Sequence, residues 1–125
     1  MDPVSDERWT EECAAGGAVG NYLDLIERGP RTVVAGLVPD SDALYVSIDP
    51  DVLDLSLVPG TTLPEPGGLS YRQLRSVLAE VARRGRVVAF DIAELNPPYD
   101  SSATTARLAT WLIAHFLGEI LVQDR

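Results

Sequence analysis

Two short apolar runs constrain this chain most. Residues 43–48 (ALYVSI) and 86–92 (RVVAFDI) are rich in β-formers, too short for helices, and each leads straight into carboxylates. Mostly apolar runs of this length read as strands of a buried parallel sheet. Parallel neighbours need a crossover, and the stretch between the runs supplies one. Ser70 with Gln73 makes a capping box, Leu74, Val77, Leu78 and Val81 follow at helical spacing, and Gly85 stops the run, which predicts a helix over 71–84. After the second strand, Asp100 or Ser101 is placed to cap a last helix from about residue 103 to 120. The order strand, loop, helix, strand, loop, helix predicts an α/β fold whose two strands are parallel and adjacent, or nearly so.

Upstream the signals are weaker. Residues 1–20 begin charged and end in AAGGAVG, whose glycines disfavour regular structure, so a loosely held arm is expected there and an α/β domain over 21–125. Tyr22, Leu23, Leu25 and Ile26 suggest a short helix ending near Gly29 and Pro30, while Val33, Val34, Leu37 and Val38 mark an element whose type the pattern leaves open. Residues 50–69 hold Pro50, Pro59, Pro64, Pro66, Gly60, Gly67 and Gly68, too many breakers for a helix or strand. They read as a long ordered loop, and such loops in compact domains tend to carry function.

Composition narrows the function classes. With 125 residues, one domain is expected. Ten Lys and Arg against 19 Asp and Glu leave a net charge of −9, which repels phosphate backbones and anionic lipid heads, so neither nucleic acid nor a membrane is expected as a partner. Small cations are favoured instead. Cys13 is the single cysteine and fits a reducing compartment, no unbroken apolar run reaches the roughly 18 residues of a membrane span, and the acidic start is unlike a signal peptide, so a cytoplasmic location is expected.

In open parallel sheets ligands bind beyond the carboxyl ends of the strands, where Asp49, Asp51, Asp91 and Glu94 fall. Two aspartates one residue apart can hold a divalent cation, and hard oxygen donors suit Mg, Ca or Mn. Aspartates also cap turns in Pro-rich loops, and spacing alone does not choose between these roles.

The wider sequence does bear on the choice. SIDPDVLDLSLVPGTTLPEPGG resembles the third signature of the ureohydrolases, the arginase and agmatinase family, with Ser47, Ile48, Asp49, Asp51, Pro59, Gly60 and Gly68 at matching places. AFDIAELNPPYDSSATTA is similar to the closing motif of the family through Asp91, Glu94, Asn96, Pro97, Tyr99 and Asp100. The resemblance runs from about residue 43 to 121, and Pro64 to Gly68 looks more like agmatinases and guanidino-acid hydrolases than like arginases. It implies a three-layer αβα fold with a parallel sheet and a binuclear Mn2+ site that Asp49 bridges and to which Asp51 contributes, with Glu94 holding the guanidinium of a small linear guanidino substrate hydrolysed to urea and an amine. The residue types agree, because guanidinium is a weak electrophile whose hydrolysis needs metal-activated water and a carboxylate fork to orient the cation.

Several departures bear on the activity. Pro50 stands where the family has an apolar residue, Leu55 where it usually has Pro, and Leu63 where a hydroxyl is expected near the substrate. The earlier Gly-Gly-Asp-His and Asp-x-His-x-Asp motifs are absent. His115, the single histidine, lies in an apolar helix with Trp111, Leu112 and Phe116 and reads as a packing residue, with those three as core. The resemblance therefore implies a C-terminal portion that is inactive alone and that forms a homo-oligomer or pairs with a chain supplying the missing half. The alternative is a non-catalytic interaction module on a degenerate ureohydrolase scaffold.

Overall fold

A computed structural model describes residues 18–123. Most of the arm expected over residues 1–20 lies outside them. Of its last residues, Gly20 packs so closely on the following helix that an added Cβ would sit 2.7 Å from Leu37 Cδ1.

Helix α1, Tyr22–Leu37, starts at a full capping box in which the Asn21 side chain accepts the Asp24 N–H and Asp24 accepts that of Asn21. The helix is broken at Gly29, whose φ of 78° only glycine adopts cheaply, and Pro30 restarts it. The segment around Val33 and Val34, of open type by sequence, is thus the second half of a kinked helix, and both valines are buried. Strand β1, Ser41–Ile48, follows, then helix α2, Tyr71–Arg84, strand β2, Gly85–Ile92, and helix α3, Thr104–Gln123. Helix α2 carries the expected Ser70–Gln73 capping box. Arg84 ties its end back to the start of β1, donating to the Val38 carbonyl at 3.1 Å and pairing with Asp40 at 3.1 Å.

The strands are adjacent and parallel, as expected, with Ser47 opposite Asp91 and Ile48 opposite Ile92. A bulge between Leu44 and Tyr45 shifts the register, so Val88 is left exposed on β2. Val46, Ile48, Val87, Phe90 and Ile92 turn to one face, where Leu74, Leu78 and Ala82 of α2 and Leu112 and Phe116 of α3 close the core. Phe90 meets Phe116 edge-on at 5.2 Å. Helices thus cover one sheet face, while Tyr45, Ser47, Ala89 and Asp91 lie open on the other. The described residues hold the sheet and one helical layer of a partial αβα arrangement.

Trp111 departs from its expected core position. Residues Thr105, Ala109, Leu112 and Phe116 form the buried stripe of α3, and Trp111, Leu117, Leu121 and Val122 point outward. The helix has 20 residues, and an 18-residue window of it has a mean hydropathy of 1.3, long and apolar enough to cross a membrane, although Arg107 and Glu119 leave no unbroken apolar run of that length. Its inner stripe completes the core instead.

Within the long loop from 50 to 69, Asp54 gathers the most side-chain hydrogen bonds. Asp54 accepts the N–H and hydroxyl of Ser56 on Oδ1 and the N–H of Gly67 on Oδ2, while Leu53 and Leu69 form a parallel bridge beside it. Gly68 lies against that bridge so tightly that a Cβ would fall 2.5 Å from the Leu53 carbonyl carbon and 2.6 Å from the Asp54 nitrogen. Asp100 repeats the pattern ahead of α3, accepting from Ser102 on Oδ1 and from the Thr105 N–H on Oδ2. It caps the helix as expected. Its helper is Ser102, whose hydroxyl accepts the Thr104 N–H, and not Ser101.

Two outcomes follow for stability. Gly68→Ala should lower stability by about 1–3 kcal/mol in urea unfolding, because backbone and not a mobile side chain must give way; an unchanged midpoint would contradict the close approach. The hydrogen bonds from Ser56 and Gly67 hold the Asp54 carboxyl below its ordinary value of 3.8, and those from Ser102 and Thr105 do the same for Asp100. Each depressed group contributes stability that is complete above 3.8 and is lost as the pH falls below that value through the folded one. In melting curves from pH 7 to pH 3, Asp54→Asn should start from a lower Tm and show a shallower acid limb than the parent.

Candidate metal and substrate site

The pairing of β1 with β2 carries on one step past the strands, since the Ala93 N–H donates to the Ile48 carbonyl at 2.9 Å. Asp49 and Glu94 therefore leave the sheet at the same carboxyl edge, as their strand-end positions predict. Asp49 caps a short 3-10 turn, Pro50–Val52, and its Oδ1 accepts the Asp51 N–H at 3.0 Å. Pro50 at the first position is fully buried and fixes the entry angle, so the residue that departs from the family pattern serves the turn.

Asp51 is the informative member. Its Oδ1 is buried and has no hydrogen-bond partner. Buried carboxylate oxygens nearly always have donors, because leaving one bare forfeits its hydration without return. A cation would repay that loss. Asp49 and Asp51 thus offer hard oxygen donors suited to Mn-type ions, one held by a turn and one carrying an unsatisfied buried atom. Two carboxylates alone would fill only part of the coordination sphere of such an ion. Among the described residues no three His, Cys, Asp or Glu side chains come together as a metal site. His115 is engaged elsewhere, with Nδ1 2.5 Å from the Tyr71 hydroxyl and its ring tilted over Trp111.

Glu94 is exposed and has a φ of 55°, a left-handed conformation that non-glycine residues rarely adopt and that clusters at functional sites. Both flanks are pinned. Ala93 is bonded to Ile48, Leu95 bridges antiparallel to Thr61, and the Asn96 N–H donates to the Gly60 carbonyl at 2.7 Å. The Glu94 backbone thereby follows the Asp49 turn out of the same sheet edge with little freedom.

Asp91 behaves differently from its sequence grouping. It lies within β2, and its carboxylate accepts the Ser47 hydroxyl at 2.8 Å on Oδ1 and the Tyr45 hydroxyl on Oδ2, a polar clamp across the strands. Hydrogen bonds from Tyr45 and then Ser47 hold the Asp91 carboxyl below the usual range, and the same bond to Asp91 raises the Tyr45 phenol. Asp54, Asp100 and Thr105 also organise the loops of this edge. Their signal is present as Asp-x-Ser at 54–56 and again at 100–102, a spacing that favours a side-chain turn. Leu63, in place of the expected hydroxyl, is exposed on the first loop.

The chain is similar to known proteins in sequence and in fold. A family model described as the arginase family matches residues 11–118. A formimidoylglutamase of Legionella pneumophila (strain Lens) is 40% identical over 97 residues, covering 75% of this chain and 30% of that protein. An agmatinase of Pyrococcus horikoshii is 41% identical over 95 residues, 74% of this chain and 30% of that protein. The native arginase structure from Bacillus caldovelox superposes with a TM-score of 0.77 at 25% identity, over 90% of this chain and 39% of that one. The chain spans about 30% of the length of the curated relatives it matches. From the family match over most of its length, with both signature loops at one edge of a parallel sheet, the chain belongs to the arginase family.

Proposed function

We propose that this chain supplies one half of the binuclear Mn2+ site of an amidinohydrolase that cleaves a linear guanidino compound, of agmatine or guanidino-acid type, to urea and an amine. The observation that carries the reading is the unpartnered, buried Oδ1 of Asp51 beside the Asp49 turn. A scaffold kept only to bind other proteins gains nothing from that oxygen, which destabilises the fold unless a cation satisfies it. The names of the relatives, formimidoylglutamase and agmatinase, support the amidine class.

Asp49 and Asp51 hold metal in this reading, and Glu94 accepts the N–H groups of the substrate cation in a charge-assisted pair. Bound metal supplies the Lewis acidity that makes water nucleophilic near neutral pH. The water oxygen bonds to the amidine carbon, the bond from that carbon to the alkyl nitrogen breaks, and both water protons end on that nitrogen, so the amine leaves as an ammonium ion and neutral urea remains. The net charge of −9 draws both the metal and the cationic substrate inward. The remaining ligands come from a segment with the family's His and Asp motifs, and the sheet face that carries the exposed Tyr45, Ser47, Ala89 and Asp91 is where it docks. The single cysteine accords with cytoplasmic operation.

Two experiments test this. Without metal, Asp51→Ala should melt at or above the parent Tm, because an unsatisfied buried oxygen is removed. With Mn2+ at a hundred times the Kd the parent should gain about 2.7 kcal/mol, and both Asp51→Ala and Asp49→Ala should gain little. Equal stabilisation of all three would place the metal elsewhere. In the second, mixing the chain with a partner segment carrying Asp-x-His-x-Asp should yield Mn2+-dependent urea from a guanidino substrate. Glu94→Ala should cut kcat/KM roughly 100-fold, since a charged hydrogen-bonded pair is worth about 3 kcal/mol. Undiminished turnover by that variant would remove Glu94 from the substrate's path.

A further inference from the structure

The left-handed backbone of Glu94 is held from a distance, by a buried knot that begins on α3. The Gly60 N–H donates to Thr105 Oγ1 at 2.7 Å, in the interior. The Gly60 carbonyl in turn accepts the Asn96 N–H at 2.7 Å, and its neighbour Thr61, fully buried, bridges to Leu95. Two consecutive residues of the first loop therefore link the helix to the residues that follow Glu94, Gly60 to Asn96 and Thr61 to Leu95. Contact at this point is as close as it can be. A Cβ on residue 60 would lie 2.8 Å from Asp100 Cβ and 3.0 Å from Thr105 Oγ1, so only glycine fits. Thr105 is itself fixed through its own N–H, which Asp100 Oδ2 accepts at 2.8 Å.

We propose that Thr105 is a positioning residue for the substrate-binding carboxylate: its hydroxyl clamps Gly60, and through Gly60 it holds the Leu95–Asn96 backbone that keeps Glu94 in its left-handed conformation. The proposal rests on the reading of Glu94 as the group that pairs with the substrate cation. Thr105 touches no reacting atom and acts only through the backbone. A conformation that a free chain disfavours is maintained only where the surroundings over-determine it, and the Thr105–Gly60–Asn96 relay is the part of those surroundings built from a single replaceable side chain.

The test compares Thr105→Val, which keeps the shape and removes the acceptor, with Thr105→Ser, which restores the hydroxyl; Thr105→Ala serves if the second valine methyl crowds Gly60. Amide hydrogen exchange of the full chain should show protection at Gly60 and Asn96 falling at least tenfold in Thr105→Val. The amides of β1 and β2 should stay within about twofold of the parent, and the serine variant should recover. In the complemented, Mn2+-loaded assay Thr105→Val should raise KM about tenfold while kcat and Mn2+ affinity stay within about twofold. Protection retained in Thr105→Val, or lost equally throughout the sheet, overturns the proposal, as does an unchanged KM. Failure of the underlying reading is separately visible. A Glu94→Ala variant with the parent's KM shows that this carboxylate binds no substrate and that there is nothing for Thr105 to position.

Discussion

A single backbone hydrogen bond, from Ala93 to the Ile48 carbonyl, sets the geometry on which the candidate site depends. Parallel strands bring their carboxyl ends to one edge whatever their sequence. The loops that leave that edge can still diverge at once, and here they do not. The extra rung keeps the chain beyond Ile92 alongside β1, so that the Asp49 turn and Glu94 emerge as neighbours. The Leu95–Thr61 bridge and the Asn96–Gly60 bond then repeat the pairing further out. Two loops rich in proline and glycine thus form a continuation of the sheet with a changed direction.

That continuation is stabilised by carboxylates acting as local scaffolds. Asp54 and Asp100 each gather several donors from residues shortly after them, which shapes a turn where no regular element supplies partners. Asp49 does so once, with the Asp51 N–H. Asp51 is the contrast, with one oxygen buried and bare. Among these aspartates the satisfied ones build the edge, and the unsatisfied one is the atom on which the metal-site proposal rests.

Much of this was legible in the sequence because the physical signals were local. The strands announced themselves by short apolar runs, α2 by its capping box and periodicity, and the site edge by strand-end carboxylates. Glycine and proline at 29 and 30 marked the break in α1 correctly, but a pattern of four apolar residues after it could not separate helix from strand, and packing on α2 decided. Asp91 was grouped with Glu94 because both lie near the end of a strand, whereas its role depends on which residue faces it across the ladder, which single-strand patterns do not encode. The exposure of Trp111 has the same origin. Its type suggested core, and the stripe that α3 buries was fixed by where β2 and α2 lie. Thr105 and Gly60 are 45 residues apart, and nothing local joins them.

The open edges of the two-stranded sheet carry a consequence for the chain in solution. Among the described residues each strand is paired with its neighbour along one edge, and a strand edge that lacks a partner accepts an extended segment that reaches it, including the matching strand of another copy. Mutual repulsion opposes that encounter, because every copy carries a net charge of −9. The protection is only as long-ranged as the ionic atmosphere allows, about 10 Å at 0.1 M salt and about 3 Å at 1 M. The acidic surface therefore serves as a barrier to promiscuous strand pairing, and concentrated salt lowers that barrier without altering a single contact inside the fold.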